Sequence, residues 1–237
     1  MREPTNKLVI PELLTVLRRT RLGRFKLRLL AEEKRGYEEV IESMLERDEG
    51  ARFLDLGFGD WRLGTKLAKK VKPKEVFGID IDIRFPDVGG RKSIQGDLNN
   101  PFPVDDEGFD VIIASQIIEH LWNTDGFLRE IHRCLKPTGY AIISTPNLAS
   151  WHNVGYLLFG RQPEPCSVSD EMDRFEGPAH RRLFTVPGLT KVLKFHGFRL
   201  DVVKGSGYHP FPLPLARLMC LMDRSHPTTI NFKVRKI

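Results

Sequence analysis

Apolar residues along the chain follow two periods, and the change of period predicts where helices and strands lie. Five of them recur at helical spacing and predict a buried helix that ends near residues 48–50: Tyr37, Val40, Ile41, Met44 and Leu45. Beyond that point, short apolar runs predict strands at 52–56, 75–79, 92–95, 109–114 and 140–144. A helical stripe follows the first of these runs, with Asp60 as its predicted N-cap, and a second helical stripe follows the fourth run.

The C-terminal part continues the pattern, with helices near 148–159, 185–197 and 213–222 and strands at 198–203 and 228–234. The run at 109–114 is apolar nearly throughout, as a strand covered on both faces should be. Strands that alternate with helices at short intervals are typical of an α/β fold. We therefore expect a doubly wound, mostly parallel sheet with helices on both faces.

Charge is distributed unevenly. The chain has a net charge of +6, and residues 1–36 hold ten Lys and Arg but only four acids, so the remainder is balanced. Two interpretations of this basic arm stay open. It is a solvated helix face with snorkelling arginines, or it contacts anionic lipid, nucleic acid or an anionic substrate.

The spacing of the cysteines and the lack of long apolar runs predict the cellular compartment. The three cysteines are far apart and form no C-x-x-C pair, so we expect no disulfide framework and no metal site. Residues 1–14 lack the apolar run of a secretory signal, and the charge-free stretch 137–160 is too polar to span a membrane. We therefore expect a cytoplasmic protein without a transmembrane segment.

Carboxylates recur where the predicted parallel strands end. Asp55, Asp80 and Asp97 lie at three successive strand ends, and Ser115-Gln116 follows the fourth strand. Ligands of open α/β sheets bind beyond the carboxyl ends of the strands, where carboxylates can accept hydrogen bonds from ribose hydroxyls or amines. Asp80 or Asp97 alone could be a turn or cap acid, but their joint placement favours a ligand site.

The loop after the first strand does not fit a pyrophosphate. A dinucleotide site needs a third glycine where Arg62 stands, and the chain has no G-x-x-x-x-G-K-[ST] phosphate loop. Asp55, two residues before Gly57, would repel a phosphate but suits a cationic amino group. An amino acid linked to adenosine through a sulfonium satisfies all three acids.

Five segments resemble the successive motifs of class I S-adenosylmethionine-dependent methyltransferases: FLDLGFGDW, GIDID, QGDL, FDVIIASQIIEHL and LKPTGYAIISTPN. They cover residues 51–147, and HRRLFT at 180–185 with the final strand pair extends the similarity to the C-terminus. The branch that they resemble includes the ubiquinone-biosynthesis O-methyltransferases and many small-molecule methyltransferases. The resemblance implies a Rossmann-like sheet of seven strands with an antiparallel last strand. It also implies an enzyme that uses S-adenosyl-L-methionine and releases S-adenosyl-L-homocysteine.

The resemblance also implies which residues hold the methionine end of the cofactor. Asp55 orders the glycine loop and reaches the methionine amine. The loop itself wraps the methionine and ribose: Gly57, Phe58 and Gly59. The backbone of the pair after the fourth strand holds the methionine: Ser115 and Gln116. The family loop often has a further glycine where Trp61 stands, so whether Trp61 covers the cofactor or packs on the sheet is open.

The nucleoside end is implied in the same way. Asp80 takes both ribose hydroxyls, and Ile81 packs on the adenine. Asp97 accepts a hydrogen bond from the adenine amino group, with the Leu98 amide beside it.

A neutral hydroxyl acceptor usually needs a base close to the reacting methyl group. His120 is the first candidate because Glu119-His120 follows a cofactor-binding strand end and imidazole titrates near neutrality. Glu119 and His180 are the other candidates. As alternatives, Glu119-His120 is a cap and packing pair, and His180 anchors its loop. No [DNS]-P-P-[YF] tetrapeptide follows the fourth strand, which favours an oxygen, a carbon or an ordinary amine as acceptor.

The chain divides into a helical extension at 1–50, which carries the basic arm and helps to roof the acceptor site, and a methyltransferase domain at 51–237. A polar stretch at 160–183 is a lid-like insert. The predicted reaction is in-line methyl transfer to a small-molecule acceptor, through a hydroxyl oxygen. The alternatives are an RNA or protein methyltransferase that docks through the arm, and a non-catalytic cofactor binder. Few aromatics interleave with the arm's bases, so nucleic acid finds little support.

Overall fold

The computed structural model describes residues 36–83, 89–163, 166–169 and 180–237. These residues contain six helices: α1 at 36–42, α2 (Arg62–Val71), α3 (Thr124–Cys134), α4 (Trp151–Leu158), α5 (Val186–Phe195) and α6 (Leu213–Met222). The strands are β1 (Arg52–Leu56), β2 (Glu75–Asp80), β3 (Arg91–Gln95), β4 (Phe109–Ser115), β5 (Leu135–Pro146), β6 (Phe198–Ser206) and β7 (Thr229–Lys236). The predicted basic arm up to residue 35, and residues 164–165 and 170–179 of the predicted insert, lie outside the described residues.

The strands form one seven-stranded sheet in the order β3-β2-β1-β4-β5-β7-β6. Neighbours from β3 to β5 are parallel, whereas β7 is antiparallel to both β5 and β6. This confirms the predicted fold class, a doubly wound, Rossmann-like sheet with an antiparallel last strand. The strand order reverses between β1 and β4, and at such a switch point the carboxyl ends of the strands open a crevice.

Both faces of the sheet are buried, and alternate residues of a strand serve opposite faces. On β1, Leu54 packs in the cluster that includes residues of α3 and α5, whereas Phe53 packs with α1 and α2. On β4, Ile112 and Ile113 divide in the same way. Burial on both sides explains why the β4 sequence is apolar nearly throughout.

The first helix ends earlier than predicted: α1 ends at residue 42 rather than near 48–50. Met44 and Leu45 are buried as the apolar spacing requires, but they lie in a turn that follows the helix. The Met44 amide donates to the Ile41 carbonyl at 3.0 Å, which closes that turn. Among the described residues no helix combines the length and apolarity that crossing a membrane requires.

Two further boundaries differ, and one is confirmed. The N-cap of α2 is Trp61, in the left-handed region at φ 59°, rather than Asp60, whose Oδ1 accepts from the Arg62 amide at 3.1 Å. β5 begins at Leu135, earlier than the predicted residue 140, because α3 passes directly into the strand. The prediction for α5 is confirmed, since Thr185 caps the helix and accepts from the Gly188 amide.

Candidate active site

The loop after β1 turns sharply and lies against the end of β4. Gly57 and Gly59 have φ of 71° and 54°, a region that side chains with a Cβ rarely adopt. The Gly57 amide donates to the Ile79 carbonyl at 2.8 Å. A Cβ on Gly57 would lie 2.1 Å from Cδ1 of Ile117, whereas a Cβ on Gly59 would have no atom within 4 Å. The loop therefore touches the residues after β4 on one side and leaves open space above Gly59.

Phe58 and Trp61 lie beneath this loop, on the sheet. Their rings stack with centroids 4.2 Å apart, and both side chains are buried. The stack covers Gly78 of β2, where a Cβ would lie 2.4 Å from Phe58 and 2.5 Å from Trp61. The Trp61 indole N–H donates to Oγ of Ser93 at 3.2 Å. Trp61 thus packs on the sheet, and any contact that Phe58 makes with a ligand falls to its backbone.

Asp80 joins the glycine loop to the end of β2. One carboxylate oxygen accepts from the Gly59 amide at 2.9 Å, and the other accepts from the Asp82 amide at 3.2 Å. Since each carboxylate oxygen can accept more than one hydrogen bond, both retain capacity for a ligand. Ile81 follows directly, and 66% of it is exposed.

Asp55 is the buried acid of the site, with only 3% of the residue exposed. Its Oδ2 faces α2 at Gly64, where a Cβ would lie 2.3 Å from that oxygen. Burial raises the pKa of the Asp55 carboxyl to about 7, and the nearby charge of Asp80 adds to the effect. Both causes disfavour the ionised form, so a ligand that carries a positive charge would relieve them.

Asp97 organises its own turn after β3. Its Oδ1 accepts from the backbone amide and the side-chain amide of Asn99, at 2.9 and 2.8 Å, and its Oδ2 accepts from Nδ2 of Asn100 at 3.2 Å. Leu98 beside it is buried. These bonds are those of a turn acid, the alternative that the sequence left open. The contact of Asp97 with an adenine stays a prediction.

Asn99 was not among the predicted site residues, yet it links two loops at this edge. Its Oδ1 accepts from the amides of Trp122 and Asn123, and its carbonyl accepts from Nδ2 of Asn123. The loop after β3 is thereby joined to the start of α3. The signal in the sequence is the Asp97-Leu98-Asn99-Asn100 run, since short amides hydrogen-bond to nearby backbone.

The pair after β4 is held against β5. Gln116 has φ of 58°, uncommon for a residue with a side chain. Its amide donates to the Ser144 carbonyl at 2.8 Å, and its Nε2 donates to the Ser144 hydroxyl at 3.0 Å. These two bonds hold the turn, and Ser115 pairs with Ser144 in the strand register. The backbone at Ser115 and Gln116 therefore borders the crevice between β1 and β4.

The three predicted catalytic residues lie together. Glu119 and His120 belong to a 3-10 turn at Ile118–His120. One ligand-type atom from each of Glu119, His120 and His180 lies within 4.8 Å of the others. The two imidazoles meet edge to face, with centroids 4.8 Å apart. The sequence separates His120 from His180 by 60 positions, and the fold brings them together.

The environment of this cluster changes two pKa values. Glu119 is fully buried, and burial raises the pKa of its carboxyl to about 7, although the backbone and Thr145 oppose the shift through hydrogen bonds. Burial also lowers the pKa of His180 to about 4, with a smaller contribution from His120. His180 is therefore neutral at pH 7, and Glu119 is near its titration midpoint.

Known proteins are similar to this chain in sequence. The family described as "Methyltransferase domain" matches residues 19–203. A probable S-adenosylmethionine-dependent methyltransferase of Mycolicibacterium smegmatis is 29% identical over 187 residues, which are 74% of this chain and 64% of that protein. The mitochondrial ubiquinone biosynthesis O-methyltransferase of Rattus norvegicus is 27% identical over 107 residues, which are 44% of this chain and 29% of that protein.

A solved structure supports the fold alone. The methyltransferase in a complex with the Haloferax volcanii Trm112 methyltransferase activator aligns with a TM-score of 0.62 at 17% identity, over 95% of this chain and 97% of that chain. The chain spans less than two thirds of the length of the Mycolicibacterium relative.

Proposed function

The chain belongs to the methyltransferase domain family, and on that premise we propose that it transfers a methyl group from S-adenosylmethionine to a hydroxyl oxygen of a small-molecule acceptor. The observation that carries the proposal is the joint position of Asp55, Asp80 and the glycine loop at the switch point of the sheet, beside the Glu119–His120–His180 cluster.

The residues at the switch point fit S-adenosylmethionine by their chemistry. The Asp55 carboxyl is buried, and no cationic side chain among the described residues offsets the cost of its charge; the methionine amine would supply that positive partner. The Asp80 carboxylate has capacity for two ribose hydroxyls, and the open space above Gly59 lets a ligand approach the backbone. The exposed Ile81 can cover a flat apolar ring such as adenine. When bound, the cofactor supplies a methyl group on a positively charged sulfur.

The Glu119–His120–His180 cluster is the part of the site that we assign to the acceptor. As the acceptor oxygen forms its bond to the methyl carbon, the carbon–sulfur bond breaks with its electron pair on sulfur, and the hydroxyl proton must leave. His120 and His180 are half-buried and more accessible than Glu119, and we assign the contact with the acceptor to His120, which follows the end of β4. A carboxyl whose pKa is raised to about 7 by burial, with an imidazole beside it, is suited to accept that proton.

The choice of oxygen rests on two observations. The segment after β4 reads Ser115-Gln116-Ile117-Ile118, without the tetrapeptide that accompanies methylation of base and glutamine amino groups. The rat relative is named an O-methyltransferase. The acceptor class and the acceptor atom are parts of this proposal.

Calorimetry with S-adenosylhomocysteine tests the cofactor site directly. Asp80→Asn should weaken binding by about 10- to 100-fold, because the bonds of a charged acceptor are worth roughly 1.5–3 kcal/mol. Asp82→Asn is the matched control, since Asp82 lies two residues away and is exposed. Equal affinity of wild type and Asp80→Asn, or no binding by wild type, would refute the proposed site. Radiolabelled methyl transfer from S-adenosylmethionine to fractionated extracts then identifies the acceptor.

A further inference from the structure

The Glu119–His120–His180 cluster brings one carboxylate and two imidazoles close enough to reach a single ion. The three potential ligand atoms lie within 4.8 Å of one another. We propose that the cluster is a binding site for one first-row divalent transition-metal cation, held by one atom from each side chain. This departs from the sequence analysis, which expects no metal.

Two buried atoms support the proposal. Oε1 of Glu119 and Nδ1 of His180 lack a hydrogen-bond partner within the part of the chain that the structure describes. A buried polar atom without a partner is costly, and the cost is greater when the group is charged. Water is one way to satisfy such atoms, but a cation satisfies a carboxylate and two imidazoles at once.

The surrounding bonds orient the carboxylate. Thr145 donates its hydroxyl to Oε2 of Glu119 at 2.9 Å, and both atoms are buried. Partners of this kind fix ligand carboxylates in known metal sites. Because Thr145 occupies Oε2, Oε1 remains as the ligand atom.

Backbone bonds hold the two segments of the cluster together. The amides of Arg181 and Arg182 donate to the Glu119 carbonyl at 2.8 and 3.1 Å, and the Ser167 amide donates to the His180 carbonyl at 3.0 Å. Ligands about 2.0–2.2 Å from an ion lie roughly 3–3.5 Å apart. Side-chain rotations that move each ligand atom by less than about 2 Å would therefore bring the three atoms onto one cation without a change in the backbone.

The donor set selects the class of metal. Imidazole suits zinc, iron, nickel and copper, whereas magnesium and calcium prefer sites made of oxygen ligands. Glu119 is the one carboxylate among the three residues of the cluster. Three protein ligands leave at least one coordination position open, as in catalytic rather than structural sites.

A role for the metal rests on the proposed function. A hydroxyl bound at the open position would become more acidic, because a cation stabilises the alkoxide. The proton could then leave to water near neutral pH. In the metal-bound form His120 and Glu119 are ligands rather than bases.

The test measures metal binding without turnover. The chain, freed of purification tags and stripped with chelator, is titrated with Co²⁺, Zn²⁺ and Mg²⁺ by calorimetry, with Co²⁺ absorption as a spectroscopic signature. We expect one Co²⁺ per chain, no comparable Mg²⁺ binding, and a loss of at least about 10- to 100-fold in Glu119→Gln and in His180→Ala. His152→Ala is the matched control, since His152 packs against His209 outside the cluster.

Two outcomes would overturn the proposal: no stoichiometric Co²⁺ binding by wild type, or Co²⁺ binding that persists in both cluster variants. Circular dichroism confirms that each variant is folded. S-adenosylhomocysteine binding is measured on the same samples. Cofactor binding without metal binding rejects this inference alone, and metal binding without cofactor affinity rejects the proposed function alone.

Discussion

Replacement of Asp55 by Asn tests most directly how a buried acid of the proposed cofactor site makes the free energy of unfolding depend on pH. The pKa of Asp55 rises from 3.8 to about 7 on folding, mainly through burial. Between these values the folded chain holds a proton that the unfolded chain releases, so this group makes stability fall as pH rises from about 4 to about 7. At 1.36 kcal/mol per pKa unit, the full loss is about 4 kcal/mol above pH 7.

The Asn side chain has nearly the same shape and no charge, so Asp55→Asn removes that loss. Urea unfolding of wild type and variant at intervals from pH 4 to pH 8.5 gives their difference in free energy of unfolding. We expect the difference to be near zero at pH 4 and to reach up to about 4 kcal/mol in favour of Asn above pH 7. Asp60→Asn is the control, because the Asp60 side chain is 55% exposed and loses little hydration on folding.

The same variant should bind S-adenosylhomocysteine more weakly, because the ligand amine loses its carboxylate partner. In wild type, affinity should rise as pH rises toward 7 and level off above it, since binding requires the ionised carboxylate. A difference in unfolding free energy that does not grow between pH 4 and pH 7 would refute the reasoning about Asp55. A more stable variant with unchanged affinity would remove Asp55 from the cofactor site.

Two further substitutions test the packing around the site. Gly78→Ala should destabilise the fold by about 1–3 kcal/mol in urea unfolding, because its Cβ would lie within 2.5 Å of Phe58 and Trp61; an unchanged midpoint would contradict this. Thr145→Val should cost about 1–3 kcal/mol and raise the pKa of Glu119 further, since the hydroxyl that bonds its carboxylate is lost. An unaltered pH profile of stability would show that this bond contributes nothing.

Much of the fold, and the placement of Asp55 and Asp80 at one edge of the sheet, follows from the sequence, because both depend on short-range pattern. Apolar runs give the strands, and the carboxyl ends of parallel strands meet at one edge, so Asp55 and Asp80 must come close once the strands are identified. The same argument could not decide whether Asp97 binds a ligand or only stabilises its turn, because Asn99 and Asn100 give its carboxylate local partners that compete with a ligand. The hydrogen bonds of Asp97 depend on side-chain geometry within a single turn.

The packing of Trp61 and the position of His180 could not be predicted, because each depends on contacts far along the chain. Trp61 lies on the sheet because Gly78 leaves space for its ring, and Gly78 belongs to another strand. His180 reaches Glu119 through backbone bonds of the following residues, in a stretch without regular structure. No periodic signal records such bonds.

Asp55 and Glu119 each have a buried carboxyl with a pKa near 7, but the side chains around them differ. Asp55 faces a second acid, Asp80, so a cationic amine would complete it, whereas Glu119 faces two imidazoles, and the metal cation that we propose would bind all three. In both places the free chain has an acid whose ionised form is disfavoured, and a bound cation would reverse that preference. Ligands that bind only the folded chain stabilise it by linkage. The two proposed cations would account for the burial of both acids, because a carboxyl kept only for stability would be better replaced by an apolar side chain.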